Sequence, residues 1–289
     1  MRTLKTGEAA ALLNVSPNTL RGWERRFGYP RAQRPPGKHR LYTQAEITEL
    51  RDALSRGLSI SSAVGVAQES LRADAHSLAS ALKRFCADDA DIAMESSLAI
   101  RSLERSVEEV LLPSLDEIGA RKGHDSATWA FSLRWAHDWL QRARRVSPVA
   151  PYAGALLIGD ASRGELDPAI PYIVALELFC IRAGASVLTL SVEACQYIRE
   201  AVSAFPPDAV VLAGNSVADD DIAAWAYGVR STTGPLPFVV YHRKVSESRS
   251  SGRVLARMPA EAQAQVFELF ADGRWGAERR GKSMFARTK

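Results

Sequence analysis

The sequence predicts a multidomain protein that is all-α in its first half and α/β in its second. Three observations carry this. Two short helical runs near the N-terminus are joined by a tight turn at Asn14-Val15, followed by Ser16-Pro17. Between residues 75 and 146 apolar side chains recur at three- and four-residue spacing, the period of a buried helix face. Beyond Pro151 short apolar stretches alternate with helical ones, the pattern of parallel strands joined by helical crossovers.

The first of these regions reads as a DNA-binding head. Gly7 to Leu13 is an Ala/Leu-rich run. Ser16 supplies an N-cap and Pro17 the first helical position of a second helix running to about Arg26. Two such helices form a helix-turn-helix, whose second member is the one that enters a major groove. Asn18, Thr19, Arg21 and Arg25 are then candidates to face DNA, while Leu20, Trp23 and Phe27 recur at core spacing. After Gly28-Tyr29-Pro30, a Pro/Gly/Arg segment predicts a β-ribbon wing turned at Pro36-Gly37, with Arg31, Arg34, Lys38, His39 and Arg40 near phosphates. Residues 1–45 hold nine Lys/Arg against Glu8 and Glu24, a local balance of +7 in a chain of net charge +4. Charge concentrated in this way attracts a phosphate backbone through counterion release, giving affinity that falls with salt.

Helices are expected from Thr43 to Leu54 and from Ser59 to just before Asp74, completing a winged head over residues 1–73. A four-helix bundle follows over 75–146. Leu78, Leu82 and Phe85 share a face of its first helix, Asp88 to Asp91 punctuates, and Ile92 to Ile100 forms the second. The third, Leu103 to Ala120, carries the stripe Val107, Val110, Leu111, Leu115 and Ile118, with a kink implied by Pro113. The fourth carries Trp129, Phe131, Trp135 and Trp139, which suit either a core or a lid over a cofactor, with core the commoner use of such a stripe.

Strands are predicted at Ala155–Ile158, Ser186–Leu190, Ala209–Leu212, Phe238–Tyr241 and near Arg253–Arg257, with helices at Pro168–Ala183, Val192–Ala204, Asp219–Val229 and Glu261–Phe270. This is a flavodoxin-like doubly wound parallel sheet over residues 152–272, and ligands in such sheets bind beyond the carboxyl ends of the strands. Gly159–Gly164, Ala213–Ser216 and Tyr241–Lys244 would line that position. The run Asp219–Asp221 opens a helix, where negative charge is favoured, and is not taken as a metal or acid/base site. Gly159 to Gly164 lacks the Lys-Ser/Thr of a phosphate loop, and no catalytic constellation is present, so the chain is not expected to be an enzyme. The tail, residues 273–289, carries six Lys/Arg against Glu278, and is either a further nucleic-acid contact or a solubilising extension.

Composition is that of an ordinary globular protein, 46% apolar and 24% charged, with no apolar run long enough to span a membrane and no signal-peptide core. A cytoplasmic location is expected. Cys86, Cys180 and Cys195 form no CxxC pair, so neither a disulfide framework nor a zinc site is indicated.

Taken together, the NVS turn, TLRGWERRFG, then GKHRLYT and an acidic helix resemble the MerR family of winged-helix transcription regulators, from about Leu4 to Ala67. Trp23 within WERRFG is similar to the subgroup of CarH/LitR-type photoreceptors and MlrA-type regulators. The resemblance implies that Thr19, Arg21, Trp23 and Arg25 lie on the DNA-facing helix and that Arg40 and Tyr42 belong to the wing; Trp23 has both core packing and backbone contact as candidate roles. It also implies double-stranded promoter DNA and RNA polymerase as partners, and a homo-oligomer. Metal-sensing members carry paired cysteines near a dimerisation helix, which this chain lacks, whereas bundle plus sheet resembles the photoreceptors' cobalamin module. The family's cobalamin residues do not carry over. Ser162 stands where the ligand histidine of the loop motif belongs, Glu165 where its glycine belongs, and Lys122, Ser132 and Leu133 where the bundle motif has Trp and Glu-His. Ala213-Gly214 and Tyr241-His242 replace the serine and glycine pair that admit the nucleotide tail, and His242 is the one alternative ligand. The expectation is a cobalamin-independent regulator with no cofactor and no metal; the alternative is a small-molecule or corrinoid-sensing or corrinoid-handling protein using the C-terminal pocket.

Overall fold

The computed structural model describes residues 3–32, 40–148, 150–193, 198–243 and 253–271. Arg34, Lys38, His39, the Pro36-Gly37 turn, Cys195, Lys244 and the basic tail lie outside them. The chain divides into two compact units, Met1–Arg121 and Lys122–Lys289.

In the first unit, strand β1 (Thr3–Lys5) pairs antiparallel with β2 (Leu41–Thr43), Leu4 opposite Tyr42. This strand has no signature in the sequence, because three residues are too few to reveal alternation. Helix α1 (Thr6–Leu12) and helix α2 (Pro17–Phe27) form the expected pair. Ser16 caps α2 by accepting the Thr19 amide at 3.0 Å, and Gly28 ends it at φ 66°, a left-handed turn that favours glycine. Helix α3 (Gln44–Ser55) starts with a reciprocal capping box between Thr43 and Glu46. Leu4, Leu13, Leu20, Tyr42, Ile47 and Leu50 belong to the core beneath these elements.

Three helix expectations are corrected. Ser59 caps helix α4 as expected, but α4 (Ile60–Lys83) runs 24 residues without a break at Asp74. No proline or glycine stands between Val66 and Lys83, so nothing local stops it. Leu78 and Leu82 are buried, whereas Phe85 lies past the helix end at φ 57° and is half exposed. Helix α5 (Ala87–Ile100) begins well before Ile92, because Asp88 and Asp89 occupy its first turn, where the helix dipole favours acids. The kink at Pro113 appears as a π turn over Val107–Leu111 between α6 (Leu103–Ser106) and α7 (Leu112–Lys122), just where proline offers no amide to the preceding turn. The stripe from Val107 to Ile118 is fully buried as expected.

The second unit opens with α8 (Ala127–Arg145), on which Trp129, Trp135 and Trp139 are buried. Beyond it the sheet has the order β4-β3-β5-β6-β7, every neighbour pair parallel. Its strands are β3 (Gly154–Asp160), β4 (Ala185–Ser191), β5 (Ala209–Ala213), β6 (Phe238–Tyr241) and β7 (Arg253–Val254), the last shorter than expected. The chain order 2-1-3-4-5 is the flavodoxin-like arrangement, and β3, an inner strand that is apolar up to Asp160, reads as such strands do. Helices α9 (Ile170–Arg182), α10 (Ile198–Ala204), α11 (Asp219–Thr233) and α12 (259–271) alternate with the strands. On one face Trp225 of α11 is completely buried against Leu157, Val210 and Leu212, with its ring edge-on to Phe238. The strand leaves room for it at Gly159, where an added Cβ would lie 2.6 Å from the indole.

Candidate nucleic-acid interface

Burial of one stripe of α2 fixes which residues the other stripe presents. Leu20 has no exposed surface, and Trp23 and Phe27 pack half-buried against the same core, so Trp23 does serve in packing. Asn18, Thr19, Arg21 and Arg25 all point outward. Arg21 reaches the Asn18 side chain at 3.5 Å, and the Thr19 hydroxyl shares a 2.8 Å hydrogen bond with Ser16. The result is a capped helix with a buried seam and a polar, cationic outer face, which is what groove insertion requires.

Behind α2, Glu24 organises the start of β2. Its carboxylate accepts from Arg40 Nε at 3.0 Å and from the Tyr42 hydroxyl at 3.2 Å. Tyr42 is completely buried; its hydroxyl bonds to the Glu24 carboxylate that also accepts from Arg40. Burial, then the Glu24 charge, pushes the Tyr42 phenol up. Arg40 keeps a third of its side chain exposed, and Arg31 is well exposed at 62%.

A buried ion network lies beneath Arg31. Glu46 accepts from the Arg31 amide at 3.1 Å and from the Thr43 hydroxyl at 2.7 Å, so one carboxylate grips both ends of the segment expected to form the wing. Arg105 pairs with Glu46 at 2.6 Å and forks onto both oxygens of Glu109 at 2.8 and 2.9 Å. Glu109 also meets the Arg31 guanidinium at 3.3 Å and Arg101 at 3.6 Å, and Arg101 pairs with Asp74 at 2.7 Å. Burial opposes charge on Arg105, yet Glu46 and Glu109 together hold its guanidinium above the ordinary range. Two spacings here are local, the Thr43/Glu46 capping box and the Arg105/Glu109 pair four residues apart. The pairing of Arg105 with Glu46 and of Glu109 with Arg31 joins distant segments and has no local signature.

In the second unit, the loop after β3 is closed by its own hydrogen bonds. Asp160 accepts the Ser162 amide at 2.8 Å; Asp167 accepts the amides of Arg163 at 3.0 Å and Ala169 at 2.9 Å, and also the Ser216 hydroxyl. Trp129 of α8 donates to the Leu166 carbonyl at 2.8 Å. Gly214, at φ 95°, packs so closely that a Cβ there would sit 2.7 Å from the Ser162 nitrogen. Ser132 is buried and its hydroxyl donates back to Thr128 at 2.7 Å, Leu133 is buried, and Lys122 and Glu165 are exposed. The His242 ring stacks 4.1 Å from Tyr172, and its Nε2 contacts the Arg257 carbonyl at 2.9 Å, which fits a structural role. Buried Tyr241 donates to the same carbonyl at 3.1 Å. Asp219 opens α11 and pairs with Arg243, as its helix-start reading requires.

These residues do not fit cobalamin. Ser162 offers no imidazole, and backbone contacts from Gly214 occupy the space beside it. Gly214→Ala is expected to destabilise this unit by roughly 1–3 kcal/mol, because it forces both a left-handed alanine and a clash with backbone. A chemical denaturation midpoint unchanged from wild type would show that the loop is open instead. Among the described residues, no group of three or more His, Cys, Asp or Glu side chains is placed to hold a metal ion.

Comparison with known proteins bears on the head most directly. Residues 4–70 match the family described as MerR HTH family regulatory protein. Over 46 residues the chain is 46% identical to the HTH-type transcriptional regulator MlrA of Escherichia coli, covering 16% of this chain and 19% of MlrA. Over 185 residues it is 30% identical to the HTH-type transcriptional repressor CarA of Myxococcus xanthus, covering 57% of this chain and 62% of CarA. A cobalamin-binding protein from Desulfitobacterium hafniense aligns over 69% of this chain and 98% of its own, at 12% identity and a TM-score of 0.35, too loose to add to the fold described above. The chain thus spans about a fifth of MlrA and less than two thirds of CarA. The head, the capped second helix and the shared sequence converge: residues 4–70 are a MerR-type helix-turn-helix domain, in a chain homologous to the MlrA and CarA regulators.

Proposed function

We propose that this protein is a transcription regulator that binds double-stranded promoter DNA through its head and acts without cobalamin. One observation carries the reading: α2 is anchored by Leu20 and capped by Ser16, and it turns Asn18, Thr19, Arg21 and Arg25 outward together. On this reading those four enter the major groove, Trp23 packs and borders the backbone, and Arg31, Arg34, Lys38, His39 and Arg40 meet phosphates. Base-edge contacts then specify the site, while the cations fix register and give steep salt dependence. We further propose that the protein works as a homo-oligomer alongside RNA polymerase in the cytoplasm, and that bundle and sheet domain divide near residue 146.

The test is occupancy of sheared host DNA by the purified protein, followed by cobalamin titration at one recovered site. A discrete site is expected, with occupancy unchanged by cobalamin or light and no corrin absorption band in the protein. Occupancy that moves with cobalamin would overturn cofactor independence, and recovery of no site would overturn the DNA reading.

A further inference from the structure

We infer that Arg105 is a positioning residue for DNA binding: it holds the Glu46 carboxylate that clamps the start and end of the segment carrying Arg31 and Arg40. The inference rests on the DNA-binding reading above. Three features of the geometry support it.

Glu46 spends its two oxygens on both roots of that segment, Oε1 on the Arg31 amide and Oε2 on the Thr43 hydroxyl. A buried carboxylate with such a role needs an opposing charge, and Arg105 supplies it at 2.6 Å with 7% of the residue exposed. Arg105 is in turn fixed by Glu109, to which its fork is bidentate, a geometry that sets orientation as well as charge. Glu109 sits inside the π turn and also contacts the Arg31 guanidinium. The helix behind the head therefore holds both the backbone of Arg31, through Glu46, and its side chain, through Glu109. A π turn interrupts the α-helical bonding pattern and is frequent at functional sites.

The experiment uses the full chain carrying Arg105→Gln, with Thr43→Val as a second variant that removes the hydroxyl bond to the Glu46 carboxylate together with the cap that hydroxyl gives α3. Two readouts separate positioning from simple stability. The first is exchange of the Arg31 amide hydrogen in the absence of DNA: protection is expected to fall at least tenfold in both variants, while amides in α2 keep theirs. The second is a double-mutant cycle on DNA. Arg31→Ala is expected to weaken wild-type binding about three- to tenfold and to cost less than about twofold when Arg105 is already Gln. Unchanged Arg31 exchange would overturn the clamp whether or not DNA is bound. Additive losses in the cycle, with folded protein in each variant, would overturn the positioning role. Wild-type protein that binds no DNA would instead sink the functional reading, and exchange alone would then decide the clamp. If Arg105→Gln does not fold, Thr43→Val carries both readouts.

Discussion

Arg21→Ala is expected to weaken binding at a specific site by roughly 1–3 kcal/mol, about 5- to 150-fold, while changing affinity for unrelated DNA far less. Arg21 stands one residue from buried Leu20 on a helix whose start is fixed by Ser16 and whose end is fixed by Gly28. Its side chain is exposed, and among the described residues it reaches the Asn18 amide oxygen and no acid. A guanidinium so placed is free to fork onto a guanine edge, the commonest specific contact in a major groove. Titration of wild type and variant against a recovered site and a scrambled one decides the matter. Equal losses on both would make Arg21 a phosphate contact, and Asn18 and Thr19 would then carry the base reading.

Trp225→Ala is expected to destabilise the second unit by about 3–5 kcal/mol, the usual loss for emptying a buried tryptophan site. Trp225 has no exposed surface and fills the space left by Gly159, so truncation leaves a void that β3 cannot collapse into. Its indole nitrogen has no hydrogen-bond partner among the described residues, so Trp225→Phe loses volume but no bond and should cost far less. Chemical denaturation of both variants checks this. Equal losses would mean that the indole nitrogen, and not the ring's bulk, is what the site requires.

What the sequence disclosed divides along the range of the interactions. Ser16-Pro17 is a local signal, complete within two residues, and α2 starts where it places it. The alternating apolar strands placed the five-stranded sheet, because a strand buried on both faces carries its own composition. Asp88 to Asp91 was ambiguous, since the same acids that break a pattern also favour a helix start. Phe85 kept helical spacing with Leu78 and Leu82, yet the helix had already ended at Lys83. Tyr42 matched the wing by resemblance, while its burial and its bond to Glu24 needed coordinates. The pairing of Arg105 with Glu46 and of Glu109 with Arg31 was unreadable for a different reason: ion pairs between distant segments leave no spacing rule in a single chain. In the sheet domain, Ser162 and Glu165 signalled departure from the cobalamin pattern, but the closure of the loop by Asp167, Ser216 and Trp129 needed coordinates.

The uninterrupted course of α4 governs how this protein can be taken apart. At about 1.5 Å per residue its 24 residues form a rod of roughly 36 Å. A fragment ending at residue 73 would stop in mid-helix, stranding carbonyls that the next turn normally satisfies and leaving Arg101 without Asp74. Grafting this head onto another sensor, or another sensor onto this head, calls for a join after Lys83, so that the whole rod travels with the DNA-reading end.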